Sequence, residues 1–153
     1  PHRIGAMGFS AGGHLVTSSA EFFTCADDRP DFVVPVYPVV TLGKNPWVHK
    51  RSRRALLGEY RKRKQVWQDS LSLELHVHRE MPPVFLVNCV DDPIVHYRNS
   101  EMLDSALTAV GVPHEYHQYQ TGGHGFGADP KRASKECIAW KEAFIKWLKK
   151  TIL

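Results

Sequence analysis

Apolar positions along the chain recur with two different periods. A short β-compatible run from Arg3 to Met7 predicts a strand, and after a glycine-rich turn Leu15, Val16, Ser19, Ala20, Phe22 and Phe23 mark one helical face as far as about Cys25. "DFVVPVYPVV", Asp31 to Val40, predicts a buried strand in which Pro35 and Pro38 restrict ladder donation. "PPVFLVNCV", Pro82 to Val90, is a continuous apolar run, as expected of a parallel strand covered on both faces. Leu103, Ala106, Leu107 and Val110 predict a helix over 99–110, with Gly111 at the left-handed C-cap position. "HEYHQYQ", His114 to Gln120, alternates and predicts a strand. A last helix is expected from near Pro130, capped by Asp129, with Cys137, Trp140, Phe144, Trp147 and Leu148 packing as one core face.

Between Thr41 and Met81 the pattern loosens into polar, basic sequence with a short helical segment near Arg53 to Leu57. That stretch is expected to be an excursion, a cap or rim over the core. The order strand, helix, strand, excursion, strand, helix, strand, helix predicts an α/β fold: a mostly parallel sheet of about four strands with flanking helices.

Composition narrows the picture. A length of 153 residues with 42% hydrophobic content suits one domain with a real core, spanning 1–153. No apolar run approaches the ~18 residues of a membrane span, and the start lacks a basic-then-apolar signal pattern. The expectation is a soluble domain, cytoplasmic or secreted, with no membrane span. Much of the net charge of +4 lies between Lys50 and Lys64, where Arg51, Arg53, Arg54, Arg61, Lys62 and Arg63 cluster. Without a zinc-finger, RNA-binding or helix-turn-helix signature, this run reads as solvated surface and no nucleic-acid partner is expected. Cys25, Cys89 and Cys137 are odd in number and contain no C-x-x-C pair, so buried free thiols are expected rather than disulfides or a thiolate metal site.

Chemistry enters at three loops. Gly8-Phe9-Ser10-Ala11-Gly12 matches G-x-S-x-G at a strand-to-helix junction, where a sharp turn exposes a serine and needs neighbours without bulk. Gly8 and Gly12 are expected to provide that clearance. The helix N-terminus beyond Ser10 aims N–H groups at a developing oxyanion. Serine needs a base, and a base needs an orienting acid. His124, among Gly122, Gly123, Gly125 and Gly127, follows the last strand and precedes the last helix. That position singles it out from nine histidines, and His14, His76, His78 and His96 read as structural or surface. Asp91 and Asp92, following the strand that ends at Val90, both stand where the acid belongs.

These loops, in this order, resemble the α/β-hydrolase superfamily. The closer likeness is to its acetylxylan-esterase-like branch, which includes esterase/lipase sequences and is related to prolyl-oligopeptidase-type hydrolases. It extends through "RIGAMGFSAGGHL", "RPDFVVPVYPVV", "HKRSRRALLGE", "PPVFLVNCVDDPIVHYRNS" and "ALTAVGVPHEYHQYQTGGHGFG". The resemblance implies Ser10 as nucleophile, His124 as base, Asp92 as acid with Asp91 as runner-up, and the Ala11 N–H as one oxyanion donor. It also implies that the chain corresponds to the C-terminal half of such a domain, without the strands and loop that give the second donor. The Arg3 to Met7 strand is then an exposed edge, open to self-association.

The implied activity is hydrolysis of short-chain esters, acetyl esters of xylan-type carbohydrates among them, with no cofactor and no metal. Trp47 or Trp67 on the excursion could stack on a sugar. A prolyl-oligopeptidase-like peptidase and an inert hydrolase half acting as a binding module are the alternatives.

Overall fold

The structure, a computed structural model, describes residues 3–153. Four strands, β1 (Gly5–Phe9), β2 (Phe32–Val36), β3 (Val84–Cys89) and β4 (His114–Tyr119), pair in the order β1-β2-β3-β4, every pair parallel. Among the described residues five helices accompany them: α1 (Ala11–Glu21), α2 (Lys50–Arg61), α3 (Gln65–Ser70), α4 (Arg98–Val110) and α5 (Trp140–Thr151). The α/β architecture expected from the strand and helix alternation is the one observed.

Successive residues of a strand point to opposite faces, so the apolar runs of β2 and β3 feed two cores. On one face Val33, Val84 and Leu86 pack with Ala20 of α1 and Leu103 and Leu107 of α4. On the other, Val34, Val36, Phe85 and Val87 pack with Trp140 and Trp147 of α5, together with Cys137, Phe144 and Leu148. The aromatic stripe of the last helix is thus core. Among the described residues β1 is one edge of the sheet, and Ile4, Met7 and Phe9 along it are exposed.

Local sequence misleads at four places. First, β2 ends at Val36 rather than Val40, because Tyr37 turns into the left-handed region at φ 40°. The following backbone leaves the ladder: Val40 and Thr41 N–H donate to Asn99 Oδ1 at 3.0 and 3.1 Å, and Val39 N–H donates to the Ser10 carbonyl at 3.3 Å.

Second, α1 stops at Glu21, its buried positions include Gly13, Thr17 and Ala20, and Leu15 and Phe22 are exposed. Small residues face the sheet because the helix lies close to it: a Cβ on Gly13 would sit 2.8 Å from the Pro38 Cβ. With the helix ended, Cys25 falls in a turn and is exposed, while Cys89 and Cys137 are buried as expected.

Third, the excursion holds more helix than its polar sequence suggests, α2 and α3 in place of one short segment. Leu57 alone is the buried residue of α2, packing with Val39, Leu42 and Val95. Fourth, no helix starts near Pro130; α5 begins at Trp140, behind a 3-10 turn over Cys137–Ala139. The intervening segment spends its polar groups on other partners. Asp129 Oδ1 accepts from its neighbour Lys131 N–H at 2.9 Å, Ser134 Oγ donates to the Thr121 carbonyl at 2.7 Å, and Glu136 accepts from the Gln120 and Thr121 N–H groups. Such side-chain to backbone bonds compete with helix formation.

Candidate active site

Ser10 stands at the turn from β1 into α1, with φ 56° and ψ −117°. A non-glycine residue there is strained and persists only if its surroundings hold it. They do: Ser10 N–H donates to the Val36 carbonyl at 3.0 Å, and the Ser10 carbonyl accepts from Gly13, His14 and Val39 N–H at 3.0, 3.3 and 3.3 Å. Gly8 is required sterically, since a Cβ on it would lie 2.0 Å from the Gly12 carbonyl oxygen. Gly12 differs from expectation: a Cβ there would meet nothing within 4 Å, so this second glycine contributes the backbone that Gly8 approaches rather than clearance at its own side chain.

The ends of β3 and β4 bring two further side chains to Ser10. His124 Nε2 lies 2.9 Å from Ser10 Oγ, and His124 Nδ1 lies 2.6 Å from Asp92 Oδ2. With Nδ1–H donating to the Asp92 carboxylate, Nε2 is the ring nitrogen left to accept from the Ser10 hydroxyl. The Asp92 side chain is 1% exposed. Its second oxygen accepts Ile94 and Val95 N–H at 2.8 and 2.9 Å, which fixes the carboxylate's orientation. Asp91 faces elsewhere: it accepts Gly123 N–H at 2.8 Å and Gly122 N–H at 3.2 Å, tying the β3 loop to the loop that carries His124.

Sequence reading missed Tyr37. Its ring centroid is 4.5 Å from that of His124 and 4.7 Å from that of Phe126, and its hydroxyl accepts Gly127 N–H at 3.1 Å. Burial raises the pKa of this hydroxyl, which therefore stays protonated. The chain reversal that places Tyr37 here is the positive-φ residue after β2, signalled in sequence only by a tyrosine wedged before Pro38. His49, just before α2, also stands near: burial first, then the charges of His124 and Arg51, lower its pKa.

The remaining predicted residues occupy varied positions. Ala11 opens α1, so its N–H has no intrahelical acceptor, and no acidic side chain sits in that first turn. Trp47 packs against His96 at 5.0 Å, with the Arg98 guanidinium 5.6 Å from its ring, while Trp67 on α3 lies under the Arg61 guanidinium at 4.7 Å. The aromatic ring against His124 is thus a tyrosine. Among the described residues no cluster of three or more His, Cys, Asp or Glu is placed to hold a metal ion, and no helix is long and apolar enough to cross a membrane.

Residues 1–152 match the model of the prolyl oligopeptidase family. The chain belongs to the prolyl oligopeptidase family. Within it, similarity extends to an acetylxylan esterase of Xylanibacter ruminicola, 33% identical over 130 residues that make up 83% of this chain and 26% of that protein. An endo-1,4-β-xylanase B of Butyrivibrio fibrisolvens is 33% identical over 133 residues, 80% of this chain and 20% of that protein. The solved acetyl ester-xyloside bifunctional hydrolase of Caldicellulosiruptor lactoaceticus superposes with a TM-score of 0.86 at 34% identity, covering 97% of this chain and 56% of its own. This family member therefore spans about a quarter or less of the curated relatives' length, and just over half of the solved chain.

Proposed function

We propose that this member of the prolyl oligopeptidase family is a serine esterase acting on short-chain carboxylic esters, with acetyl groups on xylan-type carbohydrates as its substrate class. The observation that carries the reading is the unbroken hydrogen-bonded path from Ser10 Oγ through the His124 ring to Asp92. The names of the relatives, an acetylxylan esterase and an acetyl ester-xyloside hydrolase, support the acyl and alcohol halves of the substrate.

In this mechanism Ser10 Oγ attacks the ester carbonyl as His124 Nε2 takes its proton, and Asp92 holds and stabilises the imidazolium. The oxyanion rests against the Ala11 N–H at the positive end of α1. The imidazolium then protonates the departing alkoxide, giving the alcohol and an acyl-Ser10. Water, deprotonated by His124, attacks that acyl group, and the proton returns to Ser10 as the acid leaves. Tyr37 forms the floor under the imidazole, and α2 and α3 form the rim of the substrate cleft.

The same three side chains can cleave amides, so the substrate must be tested directly. Initial rates with p-nitrophenyl acetate, p-nitrophenyl octanoate and glycyl-prolyl p-nitroanilide separate the readings. The acetate is expected to be the best of the three and the anilide the poorest. Cleavage of the anilide with higher kcat/KM than the acetate would establish the peptidase reading instead.

A further inference from the structure

The basic run between Lys50 and Lys64 is mostly exposed, as its sequence suggests, but its side chains surround a hollow. Lys50, Arg51, Arg53, Arg54, Lys62 and Arg63 line one cavity of about 620 Å³, with Lys44 as a seventh cation and Gln68 in its wall. Gly58, at φ 71° and ψ −179°, breaks α2 between the two groups of cations that share this cavity. Among the described residues the ion pairs of these cations go only to Glu59, which meets Arg54 and, at 2.5 Å, Lys62. So many like charges around one hollow repel one another, and the field they create concentrates anions there.

Two residues of the lining each carry a buried atom without a protein partner. Arg53 Nη1 donates to the Gly43 carbonyl at 3.4 Å, but its Nε is buried with no acceptor. Gln68 is 1% exposed; its Nε2 donates to the Lys62 carbonyl at 2.8 Å while its Oε1 has no donor. Both atoms are closed to solvent behind the lining, so the case for an anion rests on the seven cations and not on them. The cavity adjoins the active site through α2: that helix carries Lys50, Arg51, Arg53 and Arg54 of the lining, and its Leu57 packs with Val39, whose N–H donates to the Ser10 carbonyl.

We infer that this cavity is an anion-binding subsite beside the active site, and that it takes a sugar bearing a carboxylate or phosphate group. The hollow shape favours a small saccharide over a nucleic acid, whose phosphates need an extended basic stripe. The carbohydrate part rests on the esterase reading; the anionic part rests on the cavity alone.

Calorimetric titration of the intact chain tests it with ligands that contain no carboxylic ester: trigalacturonate, glucose 6-phosphate, uncharged xylotriose and a short single-stranded oligodeoxynucleotide. At least one charged sugar is expected to bind about tenfold or more tightly than xylotriose, and to weaken as salt rises. Which of the two binds assigns carboxylate or phosphate. Arg51 and Arg63 are exposed, and Arg51→Gln with Arg63→Gln should cost that ligand about tenfold while the circular dichroism spectrum is unchanged; Arg51→Gln alone serves if the pair misfolds. Equal binding of xylotriose, charged-sugar binding indifferent to the substitutions, no binding at all, or tighter binding of the oligonucleotide overturns the proposal. Because nothing is hydrolysed, this result stands or falls apart from ester turnover.

Discussion

Ser10→Ala is expected to reduce turnover of p-nitrophenyl acetate by about a million-fold, to the rate set by binding and oxyanion contacts alone. The size follows from geometry. Nε2 of His124 accepts the Ser10 proton at 2.9 Å, and Nδ1 is held at 2.6 Å by a carboxylate whose other oxygen is fixed by two backbone N–H groups. The three side chains act as one unit, so removing the nucleophile leaves His124 and Asp92 with nothing to activate. The substitution deletes one hydroxyl at a position held by backbone bonds, so the melting midpoint should change little. KM should change little, since only one hydroxyl is removed and the backbone bonds that hold the turn are retained. The loss should therefore fall on kcat, and unchanged kcat would remove the assignment.

Stability is expected to fall as pH rises from about 5 towards 9, and Glu21 is the reason. Glu21 ends α1 with both carboxyl oxygens buried and without partners among protein atoms, and burial, then the nearby Glu74, push its pKa up from 4.5 to about 9. Between those two values the unfolded chain has released this proton and the native chain still holds it. The contribution is therefore complete below about pH 4.5 and is lost as pH rises through 9, with a limiting slope of about 1.4 kcal/mol per pH unit. Glu74 is shifted in the same direction, chiefly by burial, and adds to the trend. Glu21→Gln keeps the shape and removes the titration. At pH 8 the variant is expected to gain about 2 kcal/mol or more, on the order of 5 °C in melting midpoint, with a flatter pH profile. Thermal melts of both proteins at pH 5 and pH 8 check it, and parallel profiles would refute it.

Much of this is legible in the amino-acid sequence alone. β3 could be read because a strand buried on both faces has no polar position to confuse it, and α4 because its apolar stripe faces a sheet. The glycine-flanked Ser10, the paired aspartates and His124 were readable because each follows a strand, and parallel strands deliver their C-terminal ends to one rim. What stayed hidden depends on distant contacts. Tyr37 occupies a positive-φ position that only the Ser10 turn and the His124 loop explain. The helices of the excursion bury too little to show an apolar period, and the segment after Pro130 is held by Glu136 and Ser134 bonding back to the end of β4. Choosing Asp92 over Asp91 was likewise beyond the local pattern. The two carboxylates differ in which neighbours reach them, one facing the imidazole and the other tying down its loop.

Assembly of a reactive serine by these three loops is read directly by a fluorophosphonate probe. One covalent adduct per chain is expected, mapped to Ser10 by peptide mass spectrometry, slowed strongly in His124→Ala and absent in Ser10→Ala. A folded chain that takes up no probe, or takes it up equally in the Ser10→Ala variant, would contradict it.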